Sequence, residues 1–287
     1  MSTQRGGWEL PISEGQLTRL TRDMEEAHRE TLPVMRASGA DLTEQVTAGG
    51  TRVEAGGTRE AHEDRSHELD ASGATGRRRF LLGAGGAGAA FLLAACGGGK
   101  SSSSSQPAAD ASAAALDASP YTGDLKIVAL AVALENQAVG AYKAALAAAK
   151  AGKLGTVPPA VSTFATTAMA QHMDHAAAWN AVLTGAGKPA IKGVPLSDQK
   201  QVTQALGQAK DVSAVAKLAL QLEDQAAQTY LFAVSNVKSV GAIQTAATIA
   251  PVEAMHAAIL HFVLGQYPVP DAFLPIDKAA KPSLLTV

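Results

Sequence analysis

Leu134-Glu135-Asn136-Gln137-Ala138-Val139-Gly140-Ala141-Tyr142 returns further along the chain as Leu222-Glu223-Asp224-Gln225-Ala226-Ala227-Gln228-Thr229-Tyr230. The two phrases hold two of the only three glutamates that follow Cys96; the third, Glu253, stands three residues before His256. Glutamate is a good helix former and normally a common one on helix surfaces. A long alanine-rich stretch that keeps it at three apolar-flanked positions is not spending it on solubility, so a shared site inside a helical bundle is expected.

A second pair of phrases repeats in the same order. His175-Ala176-Ala177-Ala178-Trp179-Asn180-Ala181-Val182-Leu183 aligns with His256-Ala257-Ala258-Ile259-Leu260-His261-Phe262-Val263-Leu264. Few β-branched alternations interrupt this half, and the stop signals divide it into four long helices. These are expected from about 124 to 151, 158 to 184, 211 to 236 and 239 to 266, with Asp211 as an N-cap. Short loops make the first and second pairs antiparallel hairpins. About twenty-five residues, with Pro189, Pro195 and a short helix near 197–210, cross between the hairpins. The fold class is therefore all-α: a four-helix bundle of two repeated hairpins with one long crossover. The tail from Tyr267 to Val287, rich in proline, is expected to wrap the bundle in extended form.

Glu253-Ala254-Met255-His256 is Glu-x-x-His on a helix, and residues three apart share a face and can reach one ion. Glu135 and Glu223 sit among Leu134, Ala138, Leu222 and Ala226. An unpaired carboxylate facing a core costs several kcal/mol or takes up a proton. A divalent cation removes that cost, and oxygen with imidazole ligands suits iron, manganese or zinc. Tyr142 and Tyr230 each lie seven residues beyond a glutamate, where they could hydrogen-bond near the site or act as redox groups; ordinary core tyrosines are the plainer reading. Asp224 could orient a ligand histidine, or be a surface carboxylate. Pro251, just before Glu253, is expected to kink the fourth helix or free a carbonyl.

Over about residues 120–266 this pattern resembles the ferritin-like superfamily of di-iron and di-manganese carboxylate proteins. That family carries Glu on helix one, Glu-x-x-His on helix two, Glu on helix three and Glu-x-x-His on helix four. The resemblance implies ligand roles for Glu135, His175, Glu223, Glu253 and His256. It implies iron first and manganese second, in one or two ions, with oxygen or peroxide chemistry of ferroxidase, peroxidase or catalase type. One position departs. Where helix two should carry its bridging glutamate the chain has His172, in His172-Met173-Asp174-His175. His-x-x-His can still ligate but cannot bridge as a carboxylate does. An altered two-metal centre, a one-metal site and a relic all remain open. The rival function is a non-enzymatic envelope lipoprotein that binds or scaffolds, its site empty, structural or degenerate.

Ahead of this half the chain changes character. Residues 1–76 hold eight arginines, no lysine and fourteen acids, and are expected to be disordered apart from a helix over 13–32 marked by Leu17, Leu20, Met24 and Leu32. Arg77-Arg78-Arg79 then precedes sixteen apolar residues, Phe80 to Ala95. A helix of that length reaches roughly 24 Å, short of a bilayer core, so 77–96 is read as an export signal rather than a span. Arg77 and Arg78 resemble a twin-arginine motif, and Leu93-Ala94-Ala95-Cys96-Gly97 resembles a lipobox, in which Cys96 is lipidated and becomes the first residue of the mature chain. An uncleaved segment acting as the anchor is the alternative. Residues 97–120, with five serines in a row, are a flexible linker to a domain over 121–287. The expected partners are membrane lipid through Cys96 and the twin-arginine export machinery, on the outer face of a bacterial cytoplasmic membrane, with a dimer left open. Nucleic acid is excluded: the chain beyond Cys96 has no arginine and thirteen lysines against twelve acids. A single cysteine rules out an internal disulfide.

Overall fold

Six α-helices account for the regular structure in the computed structural model, which describes residues 9–48, 119–271 and 273–287. They are α1 (Glu14–Thr47), α2 (Asp124–Lys150), α3 (Pro159–Gly185), α4 (Gln199–Gln208), α5 (Val212–Asn236) and α6 (Val240–Val263), followed by a 3-10 turn at Pro282–Leu284. There is no strand among the described residues, only an isolated bridge between Leu196 and Leu285. The segment expected to be an export signal, 77–96, and the expected linker as far as residue 118 lie outside the described residues.

The long helices of the bundle begin and end close to where the residue chemistry puts them. Asp211 caps α5, accepting from the Ala214 N–H at 2.7 Å. Gly152 takes φ 70° beyond α2, and Lys153 N–H returns to Ala148 O at 3.0 Å. α3 ends at Gly185, and Gly187 supplies the left-handed turn at φ 69°. α6 stops at Val263, short of residue 266, with Gly265 at φ 71°. It also runs unbroken through Pro251.

α2 packs against α3, α5 against α6, and α2 against α5. Asp124, at the start of α2, ties the α5–α6 turn by accepting from Lys238 N–H and from Ser239 N–H and Oγ–H. The crossover is pinned to both helices of the first hairpin. Asn136 donates to Gly193 O at 2.8 Å, and Asn180 exchanges two hydrogen bonds with Ile191. The tail is tied to α5, where Gln228 accepts from Lys278 N–H and Thr229 from Ala280 N–H.

α1 corrects the expectation for residues 1–76. Its helix is 34 residues long rather than ending near 32, and it packs lengthwise on α3 and α6. Leu17, Thr21, Met24, His28, Met35, Ser38 and Leu42 are buried along one face at alternating spacings of four and three, apart from the half-buried Thr31. That is a continuous seam of 3.5-residue period. Three of these seven buried positions are hydroxyls or imidazole, so apolar periodicity alone loses it after Leu32. Pro33 and Gly39 read as breakers, yet Pro33 is exposed, and Gly39 is buried where an added Cβ would meet Val182 at 3.4 Å. The seam is specific. Ser38 and Thr245 share a buried hydroxyl hydrogen bond of 2.8 Å. A Cβ on Gly241 would come within 2.5 Å of the Ser38 carbonyl, so only glycine lets α6 approach this closely. The other residues of 1–76 that lie outside 9–48 are outside the described residues.

α6 explains why a fifth helix is needed. It is apolar all round, with a mean hydropathy of 1.4 over its best window, long enough by composition to cross a membrane. A bundle helix that is apolar all round is expected to be covered on several sides. α5 covers one side. α3 scarcely touches it, and α1 fills the space between them.

Candidate metal centre

Glu135 from α2, His172 and His175 from α3, Glu223 from α5, and Glu253 and His256 from α6 converge at mid-bundle, none more than 2 % exposed. Offering one atom each, Glu135, His172, His175 and Glu253 bring those atoms within 4.8 Å of one another. His172, Glu223, Glu253 and His256 do the same. The two sets overlap at Glu253 and His172, the carboxylate that can bridge and the histidine that stands where a second bridge is expected.

The contacts are those of groups facing a common point. His175 Nδ1 lies 2.8 Å from Glu253 Oε1 and 3.5 Å from Glu135 Oε1. His256 Nδ1 lies 3.2 Å from Glu223 Oε2 and 3.3 Å from Glu253 Oε2. Neither Glu253 oxygen is aligned for a hydrogen bond with any group, and neither is His175 Nδ1, although all three are buried. Buried polar atoms are nearly always satisfied. Two imidazoles that turn the same nitrogen toward carboxylates with open lone pairs fit a divalent ion with nitrogen and oxygen ligands. His172 differs: Nδ1 is 2.7 Å from Glu135 Oε2 and Nε2 is 3.1 Å from Glu223 Oε1, so it spans the two glutamates.

Charges inside the cluster balance one another. Burial would raise the Glu135 carboxyl, but the charge of His175 and the His172 hydrogen bond outweigh it and hold it down at about 2. Burial likewise opposes the shift at Glu223, which the charges of His172 and His256 drive well below the usual range. Burial would lower the histidines. Glu253 and Glu223 push His172 well up, Glu135 pushes His175 up to about 9, and Glu223 raises His256. Three carboxylates and three imidazoles make a self-neutralising set, which is how so many charges are tolerated out of water.

The tyrosines of the repeated phrase are crossed between repeats. Tyr142, from the α2 phrase, donates to Glu223 Oε1 of the α5 phrase at 2.5 Å. Tyr230 of the α5 phrase donates to Glu135 Oε1 and in turn accepts from Trp179 Nε1 at 3.0 Å. Burial first, and the neighbouring carboxylates second, raise both phenols well above their ordinary value, so they stay protonated donors.

Asp224 is not at the centre. It lies about 100° round α5 from Glu223 and pairs with Lys278 Nζ at 2.8 Å, so it holds the tail rather than a histidine. His261 stands outside the centre and pairs with Gln266, with Nδ1 2.8 Å from its Oε1. The helper of His256 is Gln171, buried, with Oε1 2.7 Å from His256 Nε2 and Nε2 donating to Glu25 of α1 at 2.8 Å. His28 of α1 packs edge-on against His175 with ring centroids 5.1 Å apart, and its Nε2 lies 3.4 Å from Asp174. Neither Glu25 nor His28 was among the expected site residues. The available signal was His28 falling four residues after Met24 on the apolar stripe.

The described residues form an all-helical bundle with a buried carboxylate–histidine cluster drawn from four helices, an arrangement that could hold a metal ion. A family model described as a ferritin-like domain matches residues 123–266, half of the chain, and the chain belongs to that family. No curated protein and no solved structure matches it.

Proposed function

We propose that the chain is a ferritin-like redox protein whose Glu/His centre holds iron, or else manganese, and acts on oxygen or peroxide. One observation carries this reading: two overlapping ligand sets meet at Glu253, a fully buried carboxylate with no hydrogen-bond partner on either oxygen. Bound at this place, such a metal would supply one-electron changes of oxidation state. The chain's own contribution is to hold it. Glu135, His175, Glu223 and His256 face it from four helices, Glu253 lies between the sets, and Tyr142 and Tyr230 fix the carboxylates at either end. Burial keeps bulk water out. Full-length chain loaded anaerobically with Fe(II) or Mn(II) should retain one to two ions and consume oxygen or peroxide. Fewer than about 0.2 ions per chain, unchanged in Glu253→Ala, would sink the reading.

His172 supports a second reading. An imidazole whose two nitrogens each face a carboxylate is also the geometry of a built-in cation, cross-linking Glu135 and Glu223 without metal. On that reading the centre is structural and the chain a binding or scaffolding protein; zinc alone, or no metal, is the result it expects.

For location we propose export with lipid attachment at Cys96, on the strength of Arg77-Arg78, the apolar stretch and the single cysteine at the lipobox position. The packing of α1, which precedes that stretch, favours a competing reading: a chain that keeps 77–96 and holds α1 and the bundle on the same side of the membrane. Lipid labelling that is lost in Cys96→Ser distinguishes the two.

A further inference from the structure

α1 crosses the gap between α3 and α6, the two helices that carry the paired ligands His172, His175, Glu253 and His256. Two of its residues touch the centre's outer layer, Glu25 through Gln171 and His28 through His175, and Arg29 backs Glu25. The direction of hydrogen bonding through the first of these can be deduced. Arg29 Nε donates to Glu25 Oε1 at 2.8 Å, and a carboxylate can only accept. Gln171 must therefore present its amide N–H₂ to Glu25 Oε2, and its carbonyl oxygen then faces His256 Nε2. A carbonyl only accepts, so Nε2 must carry a proton. That leaves Nδ1 as the nitrogen whose lone pair is open when the ring is neutral, and Nδ1 is the one directed at Glu223 and Glu253.

We propose that Glu25, acting through Gln171, sets the tautomer and ring orientation of His256, making α1 a fifth wall of the metal centre. The inference rests on the metal reading above and adds to it two positioning residues, one from a helix outside the four-helix ligand set. Outer partners of this kind are worth about 10–100-fold in metal affinity. Without Glu25 the Gln171 amide can flip, and His256 can turn either nitrogen inward.

The test uses full-length chain loaded with Co(II), whose visible bands report ligand geometry, and follows release to a chelator. Glu25→Gln keeps size and packing but loses the fixed direction. It should speed release about tenfold and alter the bands. The exchange Glu25→Gln with Gln171→Glu puts a carboxylate directly on His256 Nε2–H and should restore both readouts, which a merely structural role would not predict. Ser38→Ala, at the far end of α1, should leave the bands unchanged; circular dichroism confirms that each variant is folded. Parent-like release and bands in Glu25→Gln, or failure of the exchange to restore them, overturns the inference alone. A parent chain that takes up no Co(II) overturns the metal reading and this inference together.

Discussion

Tyr142 donates its phenol proton to Glu223 at 2.5 Å, although the two belong to different copies of the repeated phrase. The mirror contact joins Tyr230 to Glu135, so the repeat is interlocked across the bundle axis. Both carboxylates are buried, and losing a donor to such a group costs about 1–3 kcal/mol. Tyr142→Phe should lower metal-free stability by about that much in denaturant unfolding. Tyr230→Phe should cost more, because Trp179 Nε1 also loses its acceptor. Equal losses in the two variants would mean that the indole contact contributes nothing.

His172→Glu restores the carboxylate that the repeat implies at this place. In the metal-free chain it should be destabilising, since a cation between Glu135 and Glu223 becomes a fourth buried anion. With metal the sign reverses: a second bridging carboxylate should raise retention to two ions per chain. Thermal unfolding with and without Mn(II), together with metal analysis, checks both halves. A variant as stable as the parent without metal would show that His172 is not the charge that holds the glutamates.

How far this site could be read in advance depended on residue type. The repeat located α2, α3, α5 and α6 and all six buried donors, because Glu and His are rare in so alanine-rich a chain and fall on one helical face. The same rule failed for Asp224, which is one residue and therefore about 100° away from the centre. It also missed α1. Thr21, His28 and Ser38 occupy buried slots that a hydrophobic pattern counts as breaks, and what fills them is visible only once α3 and α6 are known to stand apart. Gln171 and Glu25 have no signature in sequence, since a relay between helices 146 residues apart is a property of the packing.

Metal uptake should strengthen with rising pH. His175 holds its proton up to about 9 in the metal-free cluster, and a ligand imidazole must release it. At neutral pH at least one proton should therefore leave per ion bound, which calorimetry in two buffers of different ionisation enthalpy measures. Metal-free stability follows the opposite course at the alkaline end. The His175 contribution is complete below its unfolded value of 6.5 and is lost as pH rises through about 9. Glu135 contributes above its unfolded value of 4.5 and is lost as pH falls through about 2. The metal-free chain should be most stable between roughly pH 4.5 and 6.5 with respect to these two groups, and the loaded chain should not share the alkaline loss.

Processing at Cys96 would cut the covalent link between α1 and the bundle, and this gives the export reading a thermodynamic consequence. Leu17, Met24, Met35 and Leu42 are each no more than 2 % exposed. Burying a side chain of that size is worth about 1.5–3 kcal/mol, while a whole domain is stable by only about 5–15 kcal/mol. A processed chain that loses α1 should unfold at much lower denaturant than the full-length chain, and the α3 and α6 surfaces it uncovers should bind a hydrophobic dye. Mass analysis of the membrane fraction shows which form exists: a lipid-modified chain beginning at Cys96 on the export reading, abolished in Cys96→Ser. If that form proves as stable as the full-length chain, either α1 stays bound after cleavage or something else covers the face, and co-purification of a 1–95 fragment separates the two outcomes.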